Sequence, residues 1–342
     1  VTTLDTDLQR LARQFDIALE QAINEFSANP VANLHEGLTY GLGLDLADPA
    51  ARGKRIRPLL CLLTAEALDQ PPETAMPFAL AIELMHNFAL VHDDIQDGDT
   101  MRRNRPAIWK EYGLEHGINI GDYFLVQVFN VLSREQATDH RSARLQRDWL
   151  RLMIDTLDHT HRGQALDMNA RENCDFGCDD YLEIVREKTG YYLAAPIVGG
   201  AMTAGADPAL LKTLQQVGLL LGPSFQIMDD IIDLTRGKGR GAIGNDIGEG
   251  KRSFLVAWTS EKATITEKNR LFNLLDLPRE KTGEEEIRAV LELFEKYNAI
   301  EAGHTKAREM HQEAMALLAE NVPPMLATTL KQVADSLLQR QS

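Results

Sequence analysis

Apolar residues recur at spacings of three and four along almost the whole chain. Leu4, Leu8, Leu11, Phe15, Leu19, Ala22 and Phe26 form one such stripe, which stops before Pro30. That period places one apolar face on a helix and argues against a strand, whose faces repeat every second residue. Similar patterns predict helices over roughly 75–97, 119–134, 142–162, 180–204, 208–235, 252–263, 284–298, 301–320 and 324–340. No stretch alternates apolar and polar residues with β-branched enrichment, and no Asn-Gly or Asp-Gly turn joins two such runs. The segments 75–95 and 208–235 are apolar nearly all round and therefore read as central helices wrapped by others. With no fixed repeat and no low-complexity linker, the economical expectation is one all-α domain over 1–342, a bundle of ten or more helices.

Charge narrows the function classes. The 342 residues carry 36 Lys plus Arg against 51 Asp plus Glu, a formal charge of −15. That balance repels a phosphate backbone, so nucleic acid is not an expected partner. The longest apolar runs, such as Pro58–Leu63, fall far short of the ~20 residues of a membrane span. No charged-then-apolar leader opens the sequence, so a cytoplasmic location is expected. Three cysteines, Cys61, Cys174 and Cys178, make neither a disulfide framework nor a zinc set.

Two carboxylate clusters carry the chemistry. The first is His92-Asp93-Asp94-Ile95-Gln96-Asp97, at the end of an apolar helical run. Asp93 and Asp97, four apart, stack on one helix face, with Asp94 about 100° round. The second, Gln226 to Asp233, repeats the D-D-x-x-D spacing with Asp229, Asp230 and Asp233. Like charges at this spacing destabilise a helix by roughly 0.2–0.5 kcal/mol even when exposed, so cations are needed nearby. Oxygen-only donors suit Mg²⁺, which keeps waters and shares a substrate phosphate. One such cluster arises by chance as a solvated helix end; two copies, each ending an apolar run, read as facing metal sites. Basic residues cluster beside them: Lys54, Arg55 and Arg57; Arg102, Arg103 and Arg105; Lys188 with Thr189; Lys251 and Arg252. Most Lys and Arg are ordinary surface cations, yet an acidic chain that concentrates them next to carboxylates looks built for a polyanion.

Other motifs are set aside. Gly239-Arg240-Gly241-Ala242-Ile243-Gly244 matches G-x-G-x-x-G but follows a helical segment, not the strand a dinucleotide site requires. Gly250-Lys251 lacks the P-loop context, and His159 and His161 do not share a helix face.

Over roughly 50–260 these residues resemble the trans-isoprenyl diphosphate synthase family, the head-to-tail prenyltransferases. Gly53-Lys54-Arg55-Ile56-Arg57-Pro58 is similar to its GKxxRP segment, and His86 through Pro106 to its HxxxLxHDDxxDxxxxRRxxP block, with Leu90 in place. Gly163-Gln164 with Asp167, Lys188-Thr189 and Phe225-Gln226 with the second cluster come in family order. The resemblance implies an isoprenoid synthase-type bundle around a deep apolar cavity, a homodimer, and extension of an allylic diphosphate by isopentenyl diphosphate. It implies that Asp93, Asp97 and Asp229 ligate three Mg²⁺ ions, supported by Asp94, Asp230 and Asp233. It assigns Arg102, Lys188, Thr189, Gln226 and Lys251 to the allylic diphosphate, and Lys54, Arg57, His86 and Arg103 to isopentenyl diphosphate. Ala242 stands where the family usually has a lysine, with Lys238 or Arg240 as candidate substitutes.

By the same resemblance, Phe88 and Ala89 form the floor that sets product length. A bulky residue beside a small one resembles the medium-chain synthases. The first cluster also lacks the two-residue insertion of the bacterial C15 type, so C20 is the expected product, with C15 and C25 open. A terpene cyclase is the runner-up, but Asn245-Asp246-Ile247-Gly248-Glu249 has Glu where its metal motif places a hydroxyl. A non-catalytic subunit of a heteromeric synthase should have lost aspartates or cations that this chain keeps.

Overall fold

The structure, a computed structural model, describes residues 3–26, 30–134, 139–235 and 244–341. It opens with α1 (Thr3–Phe26), α2 (Leu34–Leu42), α3 (Ile56–Ala67) and α4 (Met76–Gln96). A minimal hairpin comes next, β1 (Met101–Arg102) and β2 (Arg105–Pro106), then α5 (Ile108–Glu111), α6 (Leu114–Arg134) and α7 (His140–Ala170). After these lie α8 (Cys178–Val185), a π-turn at Arg186–Gly190, α9 (Tyr191–Thr203) and α10 (Pro208–Thr235). The chain closes with α11 (Asn245–Gly248), α12 (Phe254–Lys262), α13 (Ile265–Leu275), α14 (Glu284–Lys296), α15 (Ala299–Asn321) and α16 (Pro324–Gln341). The all-α expectation holds, and the hairpin is the one sheet among the described residues. No described helix is long and apolar enough to cross a membrane.

The chain divides into two compact units. The first comprises Val1–Ile154, Ala195–Leu211 and Pro323–Leu330; the second comprises Asp155–Ala194, Lys212–Val322 and Lys331–Ser342. In the first, α4 is the central helix, as its all-round apolarity demands, packed by α1, α3 and α6. The buried line of α1 is Leu11, Phe15, Leu19 and Ile23, at a constant spacing of four. Ile23 rather than Ala22 therefore follows Leu19 in the buried line, because the larger side chain buries more apolar area, and Phe26 is half-buried. In the second unit, Phe176, Tyr181, Ile227, Ile231, Phe254 and Phe294 belong to one buried cluster that α8, α10, α12 and α14 share.

Two departures from the sequence pattern matter. The single helix expected over 180–204 is interrupted by the π-turn, which inserts a wider turn where the chain presents Lys188 and Thr189. The helix α13 escapes the periodicity because its buried residues, Leu271, Phe272 and Leu275, crowd into its last turns while Ile265 is exposed. Thr264 caps it, accepting from the Glu267 amide.

The approach of α9 to α10 is close enough to need a glycine. A Cβ on Gly218 would lie 2.4 Å from the Cα of Ala194, which is backbone and cannot turn aside. Gly218→Ala should therefore lower stability by about 1–3 kcal/mol as overpacking, despite a gain of about 1 kcal/mol in helix propensity. Gly248→Ala, with nothing within 4 Å of the added carbon, is the matched control and should be neutral or slightly stabilising. Equal urea midpoints for the two variants would refute the α9–α10 contact.

Candidate active site

The first carboxylate cluster closes α4. Asp93 and Asp97 are half-buried, and Asp97 is the C-cap, its amide donating to the Asp93 carbonyl at 2.9 Å. Asp94 faces the other way and is 3% exposed. Its carboxylate accepts from Arg102 Nε at 2.7 Å to each oxygen and from Nη2 at 2.5 Å. Arg102 reaches it because the hairpin folds straight back, turning through Arg103 and Asn104, both with positive φ (51° and 61°). Two left-handed residues make the two-residue turn whose twist suits a hairpin, and Asn tolerates that conformation well. The arginines thus lie on a returning hairpin rather than on a continued helix. Burial lowers the pKa of Arg102, but the hydrogen bonds and charge of Asp94 outweigh it and raise the value overall.

A cationic patch lies in the same unit. Lys54 is exposed, and Arg57 Nη1 stands 3.5 Å from His86 Nε2 on α4. Arg103 donates to the Gly41 carbonyl at 3.3 Å, and its guanidinium lies against Gly53, where a Cβ would come within 3.0 Å of Nη2. Burial holds the Arg103 guanidinium below its ordinary value against the pull of Glu83, with Arg55, Arg102 and Arg105 adding to the depression. Burial, and then the charges of Arg57, Arg103, Arg102 and Arg55, hold His86 well below the usual imidazole range. His86 is therefore neutral at pH 7 among cations. A cavity of about 350 Å³ here is lined by Leu90, Val91, Asp94, Arg102, Arg103 and Ile108, among others.

Three arginines that sequence reading groups with the site are held by protein partners, although Arg105 and Arg252 still line the two cavities. Arg55 is buried against Glu83. Arg105 pairs with Asp45 and the Tyr40 carbonyl and lies over the Tyr40 ring. Arg252, 3% exposed, donates to the Arg171 carbonyl and to Asp276, both at 2.6 Å.

In the second unit, α10 presents Gln226 and Asp229 half-buried, while Asp230 and Asp233 are buried. Asp230 accepts from Tyr181 Oη at 2.8 Å, Gln226 Nε2 at 3.1 Å and the Phe254 amide at 3.3 Å. Asp233 accepts from the Asp246 amide at 3.0 Å. Burial and then Asp230 raise the Tyr181 phenol well above its ordinary pKa, so it stays a proton donor. Motif spacing does not single out Tyr181; the available signal is a tyrosine on an otherwise buried helix face, whose hydroxyl must find a partner.

The π-turn carries Lys188 and Thr189. Gly163 on α7 lets it come close: a Cβ there would lie 2.3 Å from the Lys188 amide nitrogen. Lys188 Nζ donates to Asp167 at 2.8 Å, and Glu187 pairs with His159, whose ring stacks on Tyr191. Lys188, Thr189, Gln226, Asp230 and Lys251 line a pocket of about 530 Å³. Lys251 lies 2.6 Å from Glu249 and 3.4 Å from Asp246, so the acidic residues of the cyclase-like stretch are taken up by protein partners. Lys238, Arg240 and Ala242 lie outside the described residues.

Phe88 is 6% exposed, its ring 4.8 Å from that of His92, and Ala89 is half-buried. Among the described residues, no three or more His, Cys, Asp or Glu side chains gather to hold a metal unaided. An open, oxygen-only set suits Mg²⁺, which retains waters and takes the rest of its shell from phosphate.

A family model described as polyprenyl synthetase matches residues 47–294. A short chain isoprenyl diphosphate synthase of Methanothermobacter thermautotrophicus is 31% identical over 341 residues, covering 98% of each chain. A geranylgeranyl pyrophosphate synthase of Geoglobus acetivorans is 33% identical over 295 residues, 85% of this chain and 88% of that one. The crystal structure of geranylgeranyl pyrophosphate synthetase from Pyrococcus horikoshii aligns with a TM-score of 0.85 at 26% identity, covering 99% and 100% of the two chains.

The neutral His86 makes stability depend on pH. Below about pH 6.5 the unfolded chain binds a proton at this imidazole while the folded chain does not. Stability therefore falls as pH drops from 6.5, by up to about 1.4 kcal/mol per pH unit from this group. His86→Gln removes the contribution, so its urea midpoint should fall less than the wild type's between pH 6.5 and 5. Parallel curves would mean that His86 is protonated in the folded protein.

Proposed function

This chain belongs to the polyprenyl synthetase family and is a trans-isoprenyl diphosphate synthase, and from that premise we propose that it makes C20 geranylgeranyl diphosphate. In this reading it extends allylic primers of C5 to C15 with isopentenyl diphosphate. The observation that carries the reading is the sorting of carboxylates and cations. Asp93, Asp97 and Asp229 stay half-exposed while Asp94, Asp230 and Asp233 are sealed by protein donors. Lys54, Arg57, His86 and Arg103 form a patch of positive charge, with Arg57 beside His86 and Arg103 against Gly53, that suits a second diphosphate.

Asp93, Asp97 and Asp229 would hold Mg²⁺, three ions in this reading. Bound there, the metal supplies positive charge to a leaving diphosphate. Arg102, Lys188, Thr189, Gln226 and Lys251 bind the allylic diphosphate, with Asp94 orienting Arg102 and Asp167 orienting Lys188. These fixed donors meet the negative charge that develops as the allylic C–O bond breaks. The apolar residues of α4 below the carboxylates keep water from the resulting allylic cation. Lys54, Arg57, His86 and Arg103 hold isopentenyl diphosphate so that its double bond attacks that cation. One C–C bond forms, one C–O bond breaks, and the proton lost from the isopentenyl unit goes to the released diphosphate.

Product length rests on Phe88 and Ala89, one turn deeper than Asp93 on α4. The Geoglobus relative is named for the C20 product and an equally identical relative from Aeropyrum pernix for geranylfarnesyl diphosphate, C25, so the choice of C20 rests on Phe88 and Ala89, with C15 and C25 the alternatives.

Radiolabelled isopentenyl diphosphate with C5, C10 and C15 primers, with and without Mg²⁺, tests the reaction. Linear labelled product that needs Mg²⁺ is expected, with C20 the main species. Asp93→Ala and Asp229→Ala should each cut turnover by roughly 10²–10³-fold, the usual loss on removing one electrostatic stabiliser, with circular dichroism unchanged. Near-normal activity in either would reject its place at the metal. Phe88→Ala should lengthen the product, and an unchanged spectrum would remove Phe88 from the floor. Product made from the primer alone would favour a cyclase.

The face of α6 supports a homodimer. Leu114, Ile118 and Val126 are 46%, 44% and 56% exposed and recur at helical spacing. Exposed apolar side chains on one helix face suit burial against a second copy of the chain. Light scattering should give twice the chain mass for the wild type and a single chain mass for Ile118→Glu with Val126→Glu. A dimeric double variant would exclude this face.

A further inference from the structure

The segment Gly53-Lys54-Arg55-Ile56-Arg57 holds three cations, and only the middle one is buried. Arg55 has a left-handed backbone, φ 48° and ψ 31°, an uncommon conformation for a residue with a long side chain. Surrounding contacts must offset the cost of holding it there. Those contacts come from three elements. Arg55 Nη1 donates to Glu83 Oε1 at 2.5 Å, Nη2 donates to the Leu42 carbonyl at 2.7 Å, and Nε lies 3.5 Å from Asp16 Oδ1. Both side chains of the Arg55–Glu83 pair are 3% exposed. Glu83 also accepts from Asn87 Nδ2 at 3.2 Å, and Asn87 lines the same cavity as Asp94, Arg102 and Arg103.

A buried ion pair is a poor way to gain stability. Desolvation takes back most of the attraction, and apolar residues of similar size often serve as well or better. What such a pair supplies is direction, since a guanidinium fork accepts its partners in one plane. Direction is what this loop needs. Lys54 and Arg57 flank Arg55 on the same short segment, and the Arg103 guanidinium lies against Gly53. An unanchored loop would have to be gathered at each binding event, at a cost in affinity. Turning Arg55 inward onto Glu83 ties the loop to α4, the helix that bears His86 three residues further on.

We propose that Arg55 is a positioning residue, whose pair with Glu83 presets Lys54 and Arg57 for the diphosphate of isopentenyl diphosphate without touching it. This rests on the reading of the reaction given above.

The test uses Arg55→Lys, Arg55→Met and Glu83→Gln in the full chain. The KM for isopentenyl diphosphate is measured at saturating allylic primer, and the primer KM at saturating isopentenyl diphosphate. All three variants should raise the first about 10-fold or more and leave the second within twofold. Arg55→Lys keeps the charge but loses the fork, so it should resemble Arg55→Met rather than wild type. If Arg55→Met fails to fold, the other two decide. An unchanged isopentenyl diphosphate KM in a folded variant, or equal rises in both KM values, overturns the proposal. Calorimetric binding of inorganic diphosphate, with no turnover required, separates the two claims. Wild-type binding without condensation would sink the prenyltransferase reading and leave the positioning claim to a roughly 10-fold weakening in Arg55→Lys. Absence of that weakening, or of wild-type binding, sinks the positioning claim itself.

Discussion

Each carboxylate cluster sits at the wrong end of its helix. Asp93, Asp94 and Asp97 lie at the C-terminus of α4, and Asp229, Asp230 and Asp233 in the last two turns of α10. The helix dipole already places about half a negative charge at such an end. Three carboxylates there repel one another and the helix carbonyls. The arrangement is stable only where positive charge or hydrogen-bond donors are brought to it, and the surrounding chain is organised around that demand.

Both units meet the demand by treating the three positions differently. The second aspartate of each cluster, about 100° round from the first, is sealed by donors beyond its own turn of helix. Arg102 returns on a hairpin to Asp94; Tyr181, Gln226 and the Phe254 amide converge on Asp230. The first aspartate keeps part of its surface in each case. The third diverges: Asp97 ends its helix half-buried, while Asp233 is wholly buried and spends an oxygen on the Asp246 amide. Identical spacing therefore yields unlike sites, since the segment after each helix brings back unlike donors.

This divergence marks how far the sequence was legible. The helices were, because burying an apolar stripe is a property of the helix itself: α4, α10 and α16 lie within a residue or two of their expected spans. The π-turn was not, because an inserted residue leaves the apolar pattern nearly intact over so short a stretch. The aspartates were legible as clusters, since their spacing is local. Which cations serve them was less so. Lys54, Arg55 and Arg57 are neighbours of similar charge, and only the left-handed backbone at Arg55, set by partners on α4 and α1, turns one of them inward. Arg252 and Lys251 part in the same way.

Burial of charge and access to charge are thus two uses of one resource. Each inward arginine gives up a possible ligand contact and fixes a loop that carries an outward one: Arg55 beside Lys54 and Arg57, and Arg252 beside Lys251. Lys188 can exchange its partner when an anion arrives, because Lys188 and Asp167 are both partly solvated and their pair is correspondingly weak. The buried Arg55 guanidinium cannot, because release would leave it and Glu83 unpaired in a dry interior. A chain carrying −15 overall can therefore still hold a positive patch anchored from beneath by a pair, Arg55–Glu83, that the solvent does not reach.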